Sequence, residues 1–274
     1  MSNLTEKEQK QLERNSEWWR DRMAASQEKI TAAKRKEIDK QIKKYYKAAM
    51  EELTTGFEAT YNKILLQQEK GMQVTPAHLY RLDSYWKLQG QVKQVMQKLG
   101  DKQIALLSKA FEENFFEIYY SIALPTDKAF GTLPADMVNQ MINQIWAADG
   151  STWSSRVWKN TEKLAETLNE ELIHCVATGK KTTELKNLLQ ERFAVSYVQA
   201  DTLARTELAH IQTTAAQKRY EDAGIKQVQL WADADERRCK LCGKLHKRLY
   251  NVHEQMPVPV HPRCRCVMIP VIED

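Results

Sequence analysis

Eight apolar residues spaced by threes and fours constrain this chain most: Ile38, Ile42, Tyr45, Ala49, Leu53, Phe57, Tyr61 and Ile64. A helix turns once in 3.6 residues, so these positions line one stripe. The spacing predicts a single long amphipathic helix running to about Gln68. Only 9 glycines and 7 prolines punctuate 274 residues, which favours helices over turn-rich β structure. The opposite face of the stripe carries Lys36, Lys40, Lys43, Lys44 and Lys47. Such a face is either solvated or a basic strip beside nucleic-acid phosphates.

The same reasoning extends along the chain. Residues 1 to about 37 are highly charged around the pair Trp18-Trp19, which is expected to pack on the protein's own core or on a partner. Gly71 stops the long helix, and Thr75-Pro76 opens the next as N-cap and first-turn proline. Gly100-Asp101 reads as a break. Phe111, Phe115, Phe116, Tyr119 and Tyr120 then mark an aromatic, core-forming helix from Lys102 to Ile122. Leu124 to Pro134 reads as a linker, and a short helix follows to Trp146. Another helix runs from about Ser154 to Ala177 and ends at Gly179. Thr182 or Thr183 is expected to cap a helix to Phe193, and Ser196 a further helix to about Asp222. Val228 to Trp231 and Val267 to Ile272 read as short strands. The expected fold is mainly α: a long-helix N-terminal half (1–124), a linker with a short helix (125–149), and a helical C-terminal domain (150–274) ending in a small β/loop Cys-His knuckle.

That knuckle is where composition departs from the helical background. Four of the five cysteines fall in Cys239-x-x-Cys242 and His261-Pro262-Arg263-Cys264-Arg265-Cys266. Thiolate and imidazole are the ligands zinc prefers, and a C-x2-C turn can aim two sulfurs at one ion. A closed site needs four protein ligands, and no open position then remains for a substrate. Cys239, Cys242, His261, Cys264 and Cys266 supply five donors, so one is surplus; Cys239, Cys242, His261 and Cys264 are favoured, with Cys266 a close substitute and His246 and His253 in reserve. The competing readings are packed thiols or a disulfide formed after release from the cell. Cys175, on a helix, reads as a buried thiol.

The N-terminus has no apolar stretch of signal-peptide type, and no run reaches the roughly 20 apolar residues of a membrane helix. A reducing cytoplasm is therefore expected during synthesis, where clustered cysteines favour metal over disulfides. Net charge is +5, which permits nucleic-acid contact without requiring it. Arg237, Arg238, Lys240, Lys244, Lys247, Arg248, Arg263 and Arg265 crowd around the cysteines as candidate phosphate contacts or as partners of Asp233, Asp235 and Glu236. Arg205 and Glu207, two apart on a helix, face different ways. With Asp235 they are expected to brace the knuckle.

The ordered set Leu203-Ala204-Arg205-Thr206-Glu207, Gly224-Ile225, Trp231, Asp235-x-x-x-Cys239-x-x-Cys242 and Pro259-Val260-His261-Pro262-Arg263-Cys264-Arg265-Cys266 resembles the C-terminal domain of phage minor head proteins. This is the head morphogenesis family named after the F protein of phage Mu, and the resemblance covers roughly residues 150 to 270. The N-terminal half is similar, on a looser pattern, to minor capsid proteins of tailed phages of Gram-positive hosts. Family members often have a Gly near the position of His246. The resemblance implies a non-enzymatic virion component of few copies in the head interior. It would associate with the portal and with capsid or scaffold proteins, act in head assembly, and be linked to packaging or delivery of DNA. Two other functions are weighed against it. A His-finger nuclease would use His253 or His246 as base with Asn251 beside a second cation. A zinc-ribbon DNA-binding module would leave the aromatic helical half unexplained.

Overall fold

A computed structural model describes residues 5–19, 22–23, 25–71, 75–124, 132–232 and 238–272. The element order is α1 (Glu6–Trp19), α2 (Ala25–Glu69), α3 (Pro76–Leu79), α4 (Asp83–Ser121), α5 (Ala135–Ile142), α6 (Trp153–Thr178), α7 (Thr182–Asp222), β1 (Gln227–Trp231), α8 (Lys240–Leu245), β2 (Leu249–Asn251) and β3 (Val267–Val271). The protein is mainly α with one small antiparallel sheet, ordered β2-β1-β3. Among the described residues, no helix is long and apolar enough to cross a membrane.

The chain forms two compact units, each built from separate stretches. One draws on Met1–Glu37, Ser108–Gln144 and Thr202–Asp274, the other on Ile38–Leu107 and Ile145–Asp201. Both use residues from either side of the 125–149 segment, so this grouping differs from a division in chain order.

In the second unit the stripe on α2 is buried as its spacing requires, with one correction. Ile38, Ile42, Ala49, Leu53, Phe57, Tyr61 and Ile64 are core, but Tyr46 rather than Tyr45 completes the series. Tyr45 is half-buried, with the Lys102 ammonium 5.8 Å from its ring centroid. Lys36, Lys40, Lys43, Lys44 and Lys47 are exposed. Helix α6 is capped at both ends: Thr152 Oγ1 accepts from the Ser155 N–H, and Gly179 takes the left-handed conformation, a position that favours glycine. Cys175 is a buried free thiol.

Two expected breaks are absent. Helix α4 runs straight through Gly100, because this glycine serves close approach rather than termination. A Cβ there would lie 2.3 Å from the Trp158 ring. Helix α7 likewise continues through Ser196, which is buried and sits 3.2 Å from the Tyr46 hydroxyl. A serine with such a partner stays in a helix interior at little cost. At the start of α7, Thr182 donates to Asn62 Oδ1 instead of capping. The Lys181 N–H is met by Glu184.

In the first unit α7 is the element to which much else is tied. Arg219 is almost wholly buried and donates from Nε to the Ile122 carbonyl at 3.0 Å. Tyr119 donates to Asp222 at 2.6 Å, and Tyr220 donates to the Met268 carbonyl of β3. The sheet's register pairs Val228 with Tyr250 on one side of β1, and Gln227 with Val271 through Trp231 with Val267 on the other. Helix α1 packs beside β3. Of the tryptophan pair, Trp18 is 48% exposed with the Arg22 guanidinium 4.9 Å from its ring; the Trp19 side chain lies outside the described residues. Of the aromatic run, Phe111, Phe115 and Tyr119 are core, whereas Tyr120 is exposed.

The two α4 glycines make a matched pair. Gly90 has open space around an added Cβ, so Gly90→Ala should stabilise by about 0.5–1 kcal/mol, the entropy that glycine costs in a helix. Gly100→Ala should instead destabilise by about 1–3 kcal/mol through overpacking against Trp158. Urea midpoints of the two variants check both signs.

Candidate metal centre

Sheet register explains why two distant cysteine pairs meet. Trp231 ends β1 and faces Val267, the first residue of β3. Cys239-x-x-Cys242 follows β1 and Cys264-x-Cys266 precedes β3, so both pairs emerge at one end of one strand pair. On the first branch, Cys239 is the N-cap of α8, its Sγ accepting from the Cys242 N–H at 3.3 Å. On the second, the Cys264 N–H donates to the His261 carbonyl. This closes a tight turn with Pro262 and Arg263 at its corners.

The donors fall into two overlapping triangles. Cys239, Cys242 and His261 lie within 4.8 Å of one another, as do Cys242, Cys264 and Cys266. Cys242 belongs to both. Its Sγ is 3.2 Å from His261 Nε2 and 3.9 Å from Cys264 Sγ. The His261 Nδ1–H donates to the Pro262 carbonyl at 2.8 Å, which orients the ring and turns Nε2 toward the sulfurs. A metal-bound histidine is commonly held by a carbonyl in this way. Cys239, Cys242, His261 and Cys266 line a cavity of about 60 Å³, with Arg238, Arg263 and Arg265 also in its wall.

Electrostatics divides the thiols. The Cys242 backbone N–H holds the Cys239 thiol below its ordinary value, with smaller help from His261. A hydrogen bond from Cys266 draws Cys264 down to about 5. The same bond, with burial, pushes Cys266 up. Burial raises Cys242 to about 12. For His261, burial alone would favour the neutral ring, but the Pro262 carbonyl and the charges of Cys264 and Cys239 outweigh it and raise the pKa. The donors are thus pushed in opposite directions, Cys239 and Cys264 down and Cys242, Cys266 and His261 up. A divalent cation binds the deprotonated forms and so releases protons. Sulfur and imidazole donors, buried or half-buried and gathered around one small cavity, fit zinc.

Arg263 occupies the left-handed region, at φ 60°, at the turn position that usually takes glycine. That conformation costs a non-glycine residue about 1–2 kcal/mol. Helix α7 supplies the compensation. The Thr206 hydroxyl accepts from the Arg263 N–H at 3.1 Å, and the Thr202 hydroxyl accepts from Arg263 Nε at 3.0 Å. Four residues apart, Thr202 and Thr206 share one helix face. The i, i+4 spacing of Thr202 and Thr206 is the signal of this clamp in the sequence. Of the residues expected to brace the knuckle, Glu207 is buried, Arg205 is half-buried, and Asp235 lies outside the described residues.

Among the basic residues, Arg238, Lys240, Lys244, Lys247, Arg248 and Arg263 are exposed and Arg265 is half-buried; Arg237 is not among the described residues. The histidines and asparagine weighed for a nuclease make local bonds. His246 Nδ1 accepts from the Ala232 N–H, and its ring lies 4.7 Å from that of Trp231. Burial, then the charges of Arg238 and Lys247, lower its pKa. Asn251 Oδ1 accepts from the His253 N–H, and His253 Nδ1 lies 3.5 Å from Glu221 with a largely exposed side chain.

Residues 166–269 match the family described as phage Mu protein F like protein. This segment is similar to that family. It runs from within α6 into β3 and contains both donor triangles and the threonine clamp. One similar curated protein is the NAD(+)--arginine ADP-ribosyltransferase EFV of Enterococcus faecalis (strain ATCC 700802 / V583), 26% identical over an alignment of 186 residues that covers 61% of this chain and 38% of that protein. The chain therefore spans well under half the length of that relative. No solved structure matches the chain.

If the clamp holds the donor turn, Thr206→Val should weaken zinc retention by about 10-fold, the lower end for outer-shell changes, without altering the number of sulfur ligands. Competition with a colorimetric chelator measures this.

Proposed function

We propose that the chain is a structural, non-enzymatic minor head protein of a tailed phage. In this reading it resides in the head interior, is made in the host cytoplasm, associates with the portal and with capsid or scaffold proteins, and acts in head assembly and in DNA packaging or delivery. The observation that carries the reading is the phage Mu F-like match over 166–269, which encloses the whole Cys-His cluster. The cluster's chemistry supports a structural role. Four protein donors around one ion leave no position for a substrate, and the metal's binding energy becomes folding energy for the small sheet and its loops. The exposed cations Arg238, Lys240, Lys244, Lys247 and Arg248 suit sequence-independent, salt-sensitive contact with packaged DNA.

Arginine ADP-ribosylation is the named activity of the Enterococcus faecalis relative. Because this chain spans 38% of that protein, we read the shared region as one that does not itself carry transfer. Incubating the full chain with labelled NAD+ and an arginine-rich acceptor should leave the acceptor unlabelled; label above the boiled-protein control would overturn the non-enzymatic reading.

The direct test is assembly. Co-expressed with a tailed-phage portal protein, the full chain should co-sediment with portal oligomers and be recovered from purified heads by mass spectrometry. A chain that sediments alone and is absent from purified heads would overturn the assignment.

A further inference from the structure

Five donors for four positions leave a choice, and two observations point it at different thiols. Cys264 Sγ lies 3.9 Å from Cys242 Sγ, close to the ~3.8 Å sulfur–sulfur edge of a tetrahedron built on zinc–sulfur bonds of about 2.3 Å. Cys266, however, lines the cavity that Cys239, Cys242 and His261 also line, and Cys264 is not among its walls. Both thiols are buried, and both lie within 4.8 Å of Cys242 and of each other.

Resting on the metal reading above, we propose that Cys264 and Cys266 share the fourth coordination position of a zinc ion held throughout by Cys239, Cys242 and His261. Either thiolate completes the tetrahedron while the other stands by as a thiol. Exchange needs no oxidant. The incoming thiol forms a zinc–sulfur bond as the outgoing one breaks, and the proton of the first passes to the second. Cys242, common to both triangles, is the pivot.

The two choices tie the ion to different elements. Cys264 closes the turn that Thr202 and Thr206 hold from α7. Cys266 directly precedes Val267, where β3 begins its pairing with β1. Ligand exchange therefore lets the ion be tied either to the helix-held turn or to the start of β3 without being released. A four-donor knuckle lacks this freedom, since loss of one ligand there leaves no replacement at hand.

The test uses the full chain purified under reducing conditions without chelator: wild type, Cys264→Ser, Cys266→Ser, the double variant and Cys242→Ser. Elemental mass spectrometry reads metal per chain, and X-ray absorption counts sulfur and nitrogen around zinc. Wild type and both single variants should each hold about one zinc with three sulfurs and one nitrogen, while the double variant and Cys242→Ser should lose it. If either single variant, still folded by circular dichroism, loses zinc as completely as Cys242→Ser, the shared position is wrong and that residue is the sole fourth ligand. Alanine variants at the same positions are read identically wherever serine unfolds the chain. Zinc missing from wild type as well would overturn the metal reading itself, a result distinct from the loss of one variant.

Discussion

The antiparallel pairing of β1 with β3 is the constraint on which the C-terminal architecture depends. Five register pairs, from Gln227 with Val271 to Trp231 with Val267, bring a chain leaving one strand beside a chain entering another. Everything chemically distinctive about the protein hangs from that end of the sheet. A register slip of one residue would turn every side chain of a strand to the opposite face and would carry Cys264 and Cys266 away from Cys242. Such a small sheet, with a three-residue β2, is marginal by itself. Its stability has to come from what covers it and what ties its loops.

Helix α7 supplies much of that support. Along its final stretch it presents Thr202 and Thr206 to the donor turn, Gln217 to the carbonyls of Val252 and Glu254, and Tyr220 to the carbonyl of Met268. Thr202 accepts from the Arg263 side chain; the others meet backbone groups of irregular or edge segments, which need hydrogen-bond partners when buried. Arg219 is the most demanding of these residues. Its guanidinium is buried, donates to the Ile122 carbonyl and lies 5.9 Å from the ring of Tyr119. Removing a carbonyl or ring partner from a buried cation leaves a large desolvation cost unmet, so this region admits little rearrangement.

The metal cluster has the opposite character: it is over-supplied. Five sulfur and imidazole donors in two overlapping triangles could hold a cation with one donor to spare. Three thiolates and a neutral imidazole around a divalent zinc leave a net charge of about −1, and Arg238, Arg263 and Arg265 in the cavity wall are placed to offset it. Of these, Arg238 also belongs to the exposed cations proposed to meet DNA.

Most helices were readable from spacing alone, because a stripe such as Ile42, Leu53, Phe57 and Ile64 has one way to be buried. The two flanking strands and the donor list were readable for a related reason: alternating β-branched residues and a C-x2-C pair are local patterns. What the linear chain left open was every feature whose cause lies on another element. Gly100 is helical because of Trp158, Ser196 is helical because of Tyr46, and the three-residue β2 exists because β1 lies beside it. Arg263 holds a left-handed turn because two threonines some sixty residues earlier meet its backbone and side chain. Residue type and period specify which side chains seek burial or a metal; only tertiary structure decides which partner reaches each of them, since that depends on distances between segments that sequence spacing does not contain.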